Sequence, residues 1–446
     1  MSALSHALKH FRGGGPLPCG KNLWACEIAV ESQYELLMLS DPPGCLFEDI
    51  TSFIKASVRE DLRTNAKRMG YDNLKRIFKD SAHNTLSPKV WCRKHRGCCT
   101  PQTAMLHVGG TPCIAWSQFG GRAGVCNNVS SLPFMVWIAQ RLVYQEDAVL
   151  HENVARFDVA LLNDLLGEYY VISSVVFDAN RLGQLADRER RFTWLLHRRN
   201  IQGRQGVPRL PWCDDFVQKF HRRLHTTWRE ILLATESEVQ EELDWATTTR
   251  NVNPLIAFVD KFEDALAAWE RRHLETYMTM FDLDSQNHNL DMYAVSLRQN
   301  PEQRLQHNAG RPTLHTIVKQ NFPTMLLGEH RWLTPIETMA TNAFVVRQSL
   351  SHFGESTSFM RSRSEFDFPA RVRRKVFEQA GDSMSIPSVG LALLWFHAIG
   401  NPAAPSVSLP LPALPSTFLA RACKLVRRKS QDDDPVPVSN KVRRVT

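Results

Sequence analysis

No apolar run in the 446 residues approaches the roughly 20 that a helix needs to cross a bilayer. Met1 to Phe11 alternates polar and apolar side chains and lacks the apolar core of a secretion signal. Cysteine is scarce, 10 in the whole chain, too few for a disulfide scaffold, so the compartment reads as reducing and the protein as soluble. The densest group is Cys92, Cys98 and Cys99 around His95. It fits no paired C-x-x-C pattern and lacks a second half-site, so it reads as reduced thiols in a basic loop and no metal is expected. No internal repeat is visible. What is there is 43% hydrophobic and 22% charged residues, which excludes disorder throughout, collagen and a bare coiled coil. Lys plus Arg exceed Asp plus Glu by 54 to 46, a net +8 that permits an anionic partner such as nucleic acid without establishing one.

Hydrophobic spacing predicts a helix over residues 2–11, closed by Gly13-Gly14-Gly15. Short apolar runs then read as strands: Leu23 to Cys26, Met105 to Val108, Ala148 to Leu150 and Val171 to Val176. Amphipathic stretches from Leu132 to Tyr144 and Phe157 to Leu166 separate the later ones, which predicts an α/β fold with a parallel sheet and crossover helices. Residues 55–99 are basic, and read equally as a solvated helical insertion or a phosphate-contacting surface. From about 200 to 325 long helical patterns take over, clearest from Pro254 to Phe281, and imply a smaller, mostly helical second domain. The expected boundaries are 1–200 for a core, 201–328 for the helical domain, 329–398 for a return to the core and 399–446 for a proline-rich, basic, disordered tail. The clusters Lys424 to Lys429 and Lys441 to Arg444 read as a nuclear-import signal in a eukaryotic cell, or as solvated charge in a cytoplasmic protein.

Three loops carry the chemistry. Gly110-Thr111-Pro112-Cys113 follows the run Met105 to Val108, placing a cysteine at the carboxyl end of a strand, where open α/β sheets bind ligands. His151-Glu152-Asn153-Val154 brings a carboxylate to the next strand end, and Arg188-Glu189-Arg190 brings cations to a third. Taken singly these read as a core cysteine, a loop salt bridge and a solvated charge run. Their order resembles the C5-cytosine-specific DNA methyltransferase family. Ala25-Cys26-Glu27-Ile28 and Phe47-Glu48-Asp49-Ile50 resemble its two acidic cofactor motifs, Leu333-Thr334-Pro335-Ile336-Glu337 its late LTPxE segment, and Gln379 to Pro387 its closing motif.

The resemblance implies a Rossmann-like, S-adenosylmethionine-dependent sheet that moves a methyl group to C5 of cytosine in DNA. It implies that Cys113 is the nucleophile that adds to cytosine C6, that Glu152 bonds N3 and the exocyclic amine, and that Arg190, with Arg188 beside it, steadies the base. Glu27 would hold the ribose hydroxyls of the cofactor, Asp49 with Ile50 the adenine, and Ser383 lies in the late motif. The target base would be flipped out, with Ser117 to Gly124 closing over it, and residues 201–328 would read the target sequence. The chain also departs from the family. Its first residues resemble the end of the family's Phe-x-Gly-x-Gly turn, so the first strand is expected to be missing, leaving two strands unpartnered and one cofactor wall absent. Ala186 stands where the family has Gln, and Asp382 where it has Asn. Two alternatives stay open: a catalytically inactive DNA-binding relative, and an RNA cytosine-5 methyltransferase, though no Cys-Phe-Thr segment of the tRNA branch is present. Oligomeric state is not legible.

Overall fold

The structure, a computed structural model, describes residues 21–38, 42–65, 70–116, 128–200, 212–250, 261–281, 290–308, 310–317, 323–342, 376, 384–385, 388–393 and 395. The predicted helix 2–11, the loop 117–124, Ser383 and the tail lie outside them. Among the described residues no helix is long and apolar enough to cross a membrane.

From Trp24 onward the described chain alternates strand and helix. β1 (Trp24–Cys26), α1 (Val30–Met38) and β2 (Cys45–Phe47) form a parallel unit, with Cys26 opposite Phe47. The basic stretch follows as α2 (Ala56–Asn65), α3 (Tyr71–Lys75) and α4 (Ala82–Thr85), then the hairpin β3 (Val90–Cys92) and β4 (Gly97–Cys99). This stretch is more than solvated surface: Leu62, Leu74 and Phe78 enter the main core, so their apolar face anchors the insertion at about 1.5–3 kcal/mol each. Several of its cations are engaged within the protein, among them Lys75, with Nζ 2.7 Å from Asp164, Lys79, which donates to the Asp164 carbonyl, and Lys94, which donates to the Pro43 carbonyl.

The second sheet holds the candidate site. β5 (Leu106–Gly110) and β6 (Ala148–Val154) are parallel and joined by the crossover helix α5 (Asn128–Tyr144). Helix α6 (Val159–Leu166), N-capped by Asp158, leads to β7 (Tyr170–Asp178). β8 (Glu189–His197) then returns between β6 and β7, giving the order β5-β6-β8-β7. Here the all-parallel expectation is corrected, because β8 is antiparallel to both neighbours. The connection 179–188 is a short turn through Gly183 at φ +79°, with no room for a crossover helix, so the chain must reverse. The mixed α/β, Rossmann-like character holds. Among the described residues β1 pairs with β2 and β5 with β6. Trp24 lies close to β5 at this point, its ring 5.7 Å from His107 and its Nε1 donating to the Gln102 carbonyl.

Beyond residue 211 come α7 (Trp212–Phe220), α8 (Glu236–Thr249) and α9 (Ala268–Met280), as a helical region requires. The predicted helix 254–281 is shorter than expected: 261–267 are turns, and α9 starts where the Ala267 N–H donates to Glu270. The apolar face nonetheless points inward, with Phe262, Ala265 and Leu266 buried. The region also contains an antiparallel sheet, β9 (Ala294–Ser296), β10 (Thr324–Leu326) and β11 (Arg331–Trp332), too short for alternation to register in the sequence. After it, α10 (Pro335–Ala340) explains the LTPxE segment physically. Thr334 is the N-cap, Pro335 takes the first turn, and Glu337 completes a capping box. Glu337 is fully buried and accepts from both Arg331 guanidinium nitrogens at 2.8 Å.

Candidate active site

Strand direction brings three separate sequence signals to one rim. β5 and β6 end there, and antiparallel β8 begins there. Gly110 is the cross-strand partner of Glu152, and Arg190 that of Val154. Cys113 follows Gly110 by three residues, within about 10 Å of chain. Its carbonyl accepts from the Trp116 N–H at 3.0 Å, opening a short helical turn over Ile114–Trp116. Trp116 is buried against Phe134 and Phe157, which pins the far side of the cysteine loop to the core.

The near side is tied by polar groups. Thr111 Oγ1 lies 2.9 Å from His151 Nε2, and Asn153 Nδ2 donates to both the Thr111 carbonyl and its hydroxyl at 3.1 Å. His151 is fully buried between Trp137 and Phe157, and burial holds its pKa down at about 3, so it stays neutral. The residues flanking Glu152 in the motif therefore fix the loop that carries Cys113. Sequence reading singled out only Glu152; the histidine and asparagine were visible in the same tetrapeptide.

Glu152 lies inside β6, not in a loop after it. Its Oε1 is 3.0 Å from Arg190 Nε, and the two side chains are 12% and 18% exposed. Burial raises the Glu152 pKa, while the Arg190 and Arg188 charges oppose that rise without cancelling it. Gly110 permits this packing: a Cβ there would come within 2.5 Å of Met384 Cε and 3.4 Å of Glu152 Oε2. Met384, from the late motif, thus reaches the rim, although the neighbouring Ser383 lies outside the described residues. Arg188 is buried beside the rim. Its N–H donates to Asp178 and its Nη1 to the Ile317 carbonyl, so it ties the strand entry to the segment before residue 318.

Glu27 and Asp49 follow the adjacent parallel strands β1 and β2. Asp49 caps the helical turn Ile50–Phe53, accepting from the Thr51 N–H and hydroxyl at 2.8 and 2.7 Å. Glu27 Oε1 accepts from the Ala29 N–H at 2.8 Å. A carboxylate has about four lone-pair sites, so both keep acceptor capacity for a hydroxyl or an amine. Ile28, next to Glu27 in the chain, is 74% exposed, while Ile50 packs partly against the core. Two carboxylates beside an apolar side chain suit a nucleoside: the acids take its polar edge and the isoleucine its flat face. An open groove of about 540 Å³ lined by Arg229, Glu329 and Arg331 shares no residue with this rim.

No protein-family model matches the chain, and no curated protein does. Among solved structures, the S. pombe Dnmt2 methyltransferase is similar at 10% identity and a TM-score of 0.41, over 89% of this chain and 96% of that one. A putative DNA modification methyltransferase encoded within an E. coli prophage is similar at 12% identity and 0.42, over 84% and 92%. The Spodoptera frugiperda DNMT2 mutant is similar at 13% and 0.37, over 89% and 97%. The α/β assignment rests on the strand order above, and the chemistry is read from the rim.

Proposed function

We propose that this chain is an S-adenosylmethionine-dependent methyltransferase acting on C5 of cytosine in DNA through a covalent Cys113 adduct. The observation that carries the reading is the buried Glu152–Arg190 pair at the rim where the Cys113 loop begins. Cytosine C5 is a poor nucleophile. When Cys113 Sγ adds to C6, the C5–C6 π electrons move toward C5 and N3, and negative charge builds on the ring. A protonated Glu152 donates to N3 and accepts from the exocyclic amine, which neutralises that charge. The raised Glu152 pKa favours this protonated form, and Arg190 orients the carboxyl. The nucleophilic C5 so formed would take the methyl group that the cofactor supplies; the proton on the methylated C5 then passes to a base, the C5–C6 double bond re-forms, and the Sγ–C6 bond breaks to return the thiolate.

Glu27, Asp49, Ile28 and Ile50 are the residues that would hold the nucleoside end of the cofactor, and Ser383 belongs to the late motif assigned to the same cofactor. The cofactor, when bound, supplies a sulfonium-activated methyl group. The ring edges of cytosine are closed inside a duplex, so the reading includes base extrusion, with residues 201–328 contacting the target sequence. The net +8 charge suits a nucleic acid, the absent Cys-Phe-Thr segment favours DNA over tRNA, and the basic C-terminal clusters favour the nucleus in a eukaryotic host.

Labelled methyl transfer by the full chain to duplex DNA and to tRNA, side by side, tests this. The expected result is label on DNA, with Cys113→Ala lowering it at least ~10³-fold. A duplex carrying 5-fluorocytosine should trap a denaturant-stable adduct on the wild-type chain alone, because fluorine cannot leave as a proton. Label on tRNA alone would reassign the substrate. No transfer together with no calorimetric binding of S-adenosylmethionine would leave the non-catalytic DNA-binding alternative.

A further inference from the structure

Away from the rim, the two strands of the β3–β4 hairpin bring an unusual set of groups to one point. Cys92 ends β3, His95 sits in the turn, Cys99 ends β4, and Cys45 opens the neighbouring strand β2. The three sulfurs and one imidazole nitrogen all lie within 4.8 Å of one another. His95 Nδ1 is 3.2 Å from Cys99 Sγ, 3.4 Å from Cys92 Sγ and 3.7 Å from Cys45 Sγ. We propose that Cys45, Cys92, His95 and Cys99 bind one structural zinc ion.

The distances suit the ion. Tetrahedral zinc with Zn–S near 2.3 Å and Zn–N near 2.0–2.1 Å separates sulfur from nitrogen by about 3.5 Å. All three cysteines are free thiols, so no disulfide accounts for their meeting. Apolar packing does not account for it either, since it would not draw an imidazole nitrogen into the middle of three sulfurs. The backbone is shaped for the site. Arg96 takes φ +50°, folding the turn so that His95 faces the two flanking cysteines, and the Leu46 N–H points at Cys92 Sγ at 3.4 Å, as for a charged sulfur. Three thiolates, a neutral imidazole and a dication sum to −1. Arg93, Lys94 and Arg96 in the same turn offset that charge, which gives the basic loop a reason to be basic.

The set is three-sulfur, one-nitrogen and closed, the signature of a structural rather than a catalytic zinc. Its task is evident from the elements it joins: β2, β3 and β4 are three residues each, too short to hold by their own ladder. The ion would staple the hairpin to β2, whose far end delivers Asp49. Cys98, which belonged to the cysteine group seen in the sequence, is exposed and outside the cluster; Cys45, 47 residues upstream of Cys92, takes its place.

Elemental analysis of the full chain purified without chelator should find one zinc per chain, and X-ray absorption three sulfur ligands and one nitrogen ligand. Cys45→Ser should lower zinc occupancy severalfold while Cys98→Ser leaves it unchanged. If ligand variants fail to fold, Co²⁺ exchanged into the wild-type chain should give the intense thiolate charge-transfer absorption of a tetrahedral site. Zinc-free protein with no cobalt spectrum, equal zinc in Cys45→Ser and wild type, or a disulfide among these cysteines by mass spectrometry would overturn the assignment. None of these readouts depends on methyl transfer.

Discussion

At the scale of single residues, the rim turns on what burial does to a carboxyl group. Glu152 is raised by desolvation and restrained by Arg190. Replacing Glu152 by Gln keeps its size but removes the proton donor, so turnover should fall about 10²–10⁴-fold with little loss of stability. Arg190→Ala acts differently, leaving a buried acid with its nearest cation gone. It should cost about 3–5 kcal/mol in urea unfolding, and Glu152→Gln in the same chain should recover much of that. If the double variant is no more stable than the single, the pair is not coupled. Cys113, Glu152 and Arg190 were legible in the sequence because their neighbours form ordered motifs. Arg188 was read with them, and its Nη1 also donates to the Ile317 carbonyl, a partner 129 residues away that no local pattern announces.

At the scale of elements, caps and reversals decide what periodicity leaves open. The LTPxE segment reads in sequence only as a family resemblance; the structure shows it to be a helix start and why the acid is needed, since Glu337 serves the cap, the Ala234 N–H and Arg331 together. Thr334→Ala should therefore cost only about 1 kcal/mol. Glu337→Ala should cost about 3–5 kcal/mol, since it strands a buried guanidinium. Equal midpoints for the two in chemical denaturation would refute this division of roles. Conversely, β9, β10 and β11 escaped notice because strands of two or three residues carry no period, and their partners are set by tertiary contact.

At the scale of the whole molecule, buried neutral histidines tie stability to pH. His151 and His315 are both buried, with pKa held down at about 3; among the described residues His315 has no hydrogen-bond partner on either ring nitrogen, and His307 and Arg311 add to its shift. In the unfolded chain each protonates near 6.5. The unfolded state then binds more protons, so stability is full above about pH 6.5 and falls as pH drops toward 3. The slope approaches about 1.4 kcal/mol per pH unit for each histidine. Burial-raised Glu146 and Glu152 work in the opposite sense, losing stability as pH rises through their folded values. His315→Gln should flatten the decline between pH 6.5 and 4.5, read from urea midpoints; an unchanged slope would show that His315 protonates without unfolding.

The sequence alone determined the strands β1, β5, β6 and β7, the helices α5 and α6 between the later ones, and which acids, thiol and cations stand near strand ends, because periodicity and short motifs are local properties of the chain. Only the tertiary structure decided that β8 runs backwards between β6 and β7, that Met384 fills the space a glycine leaves at the rim, and that Cys45 joins a hairpin 47 residues away. Those outcomes depend on which distant surfaces meet, and contact across long sequence separation leaves no period to read.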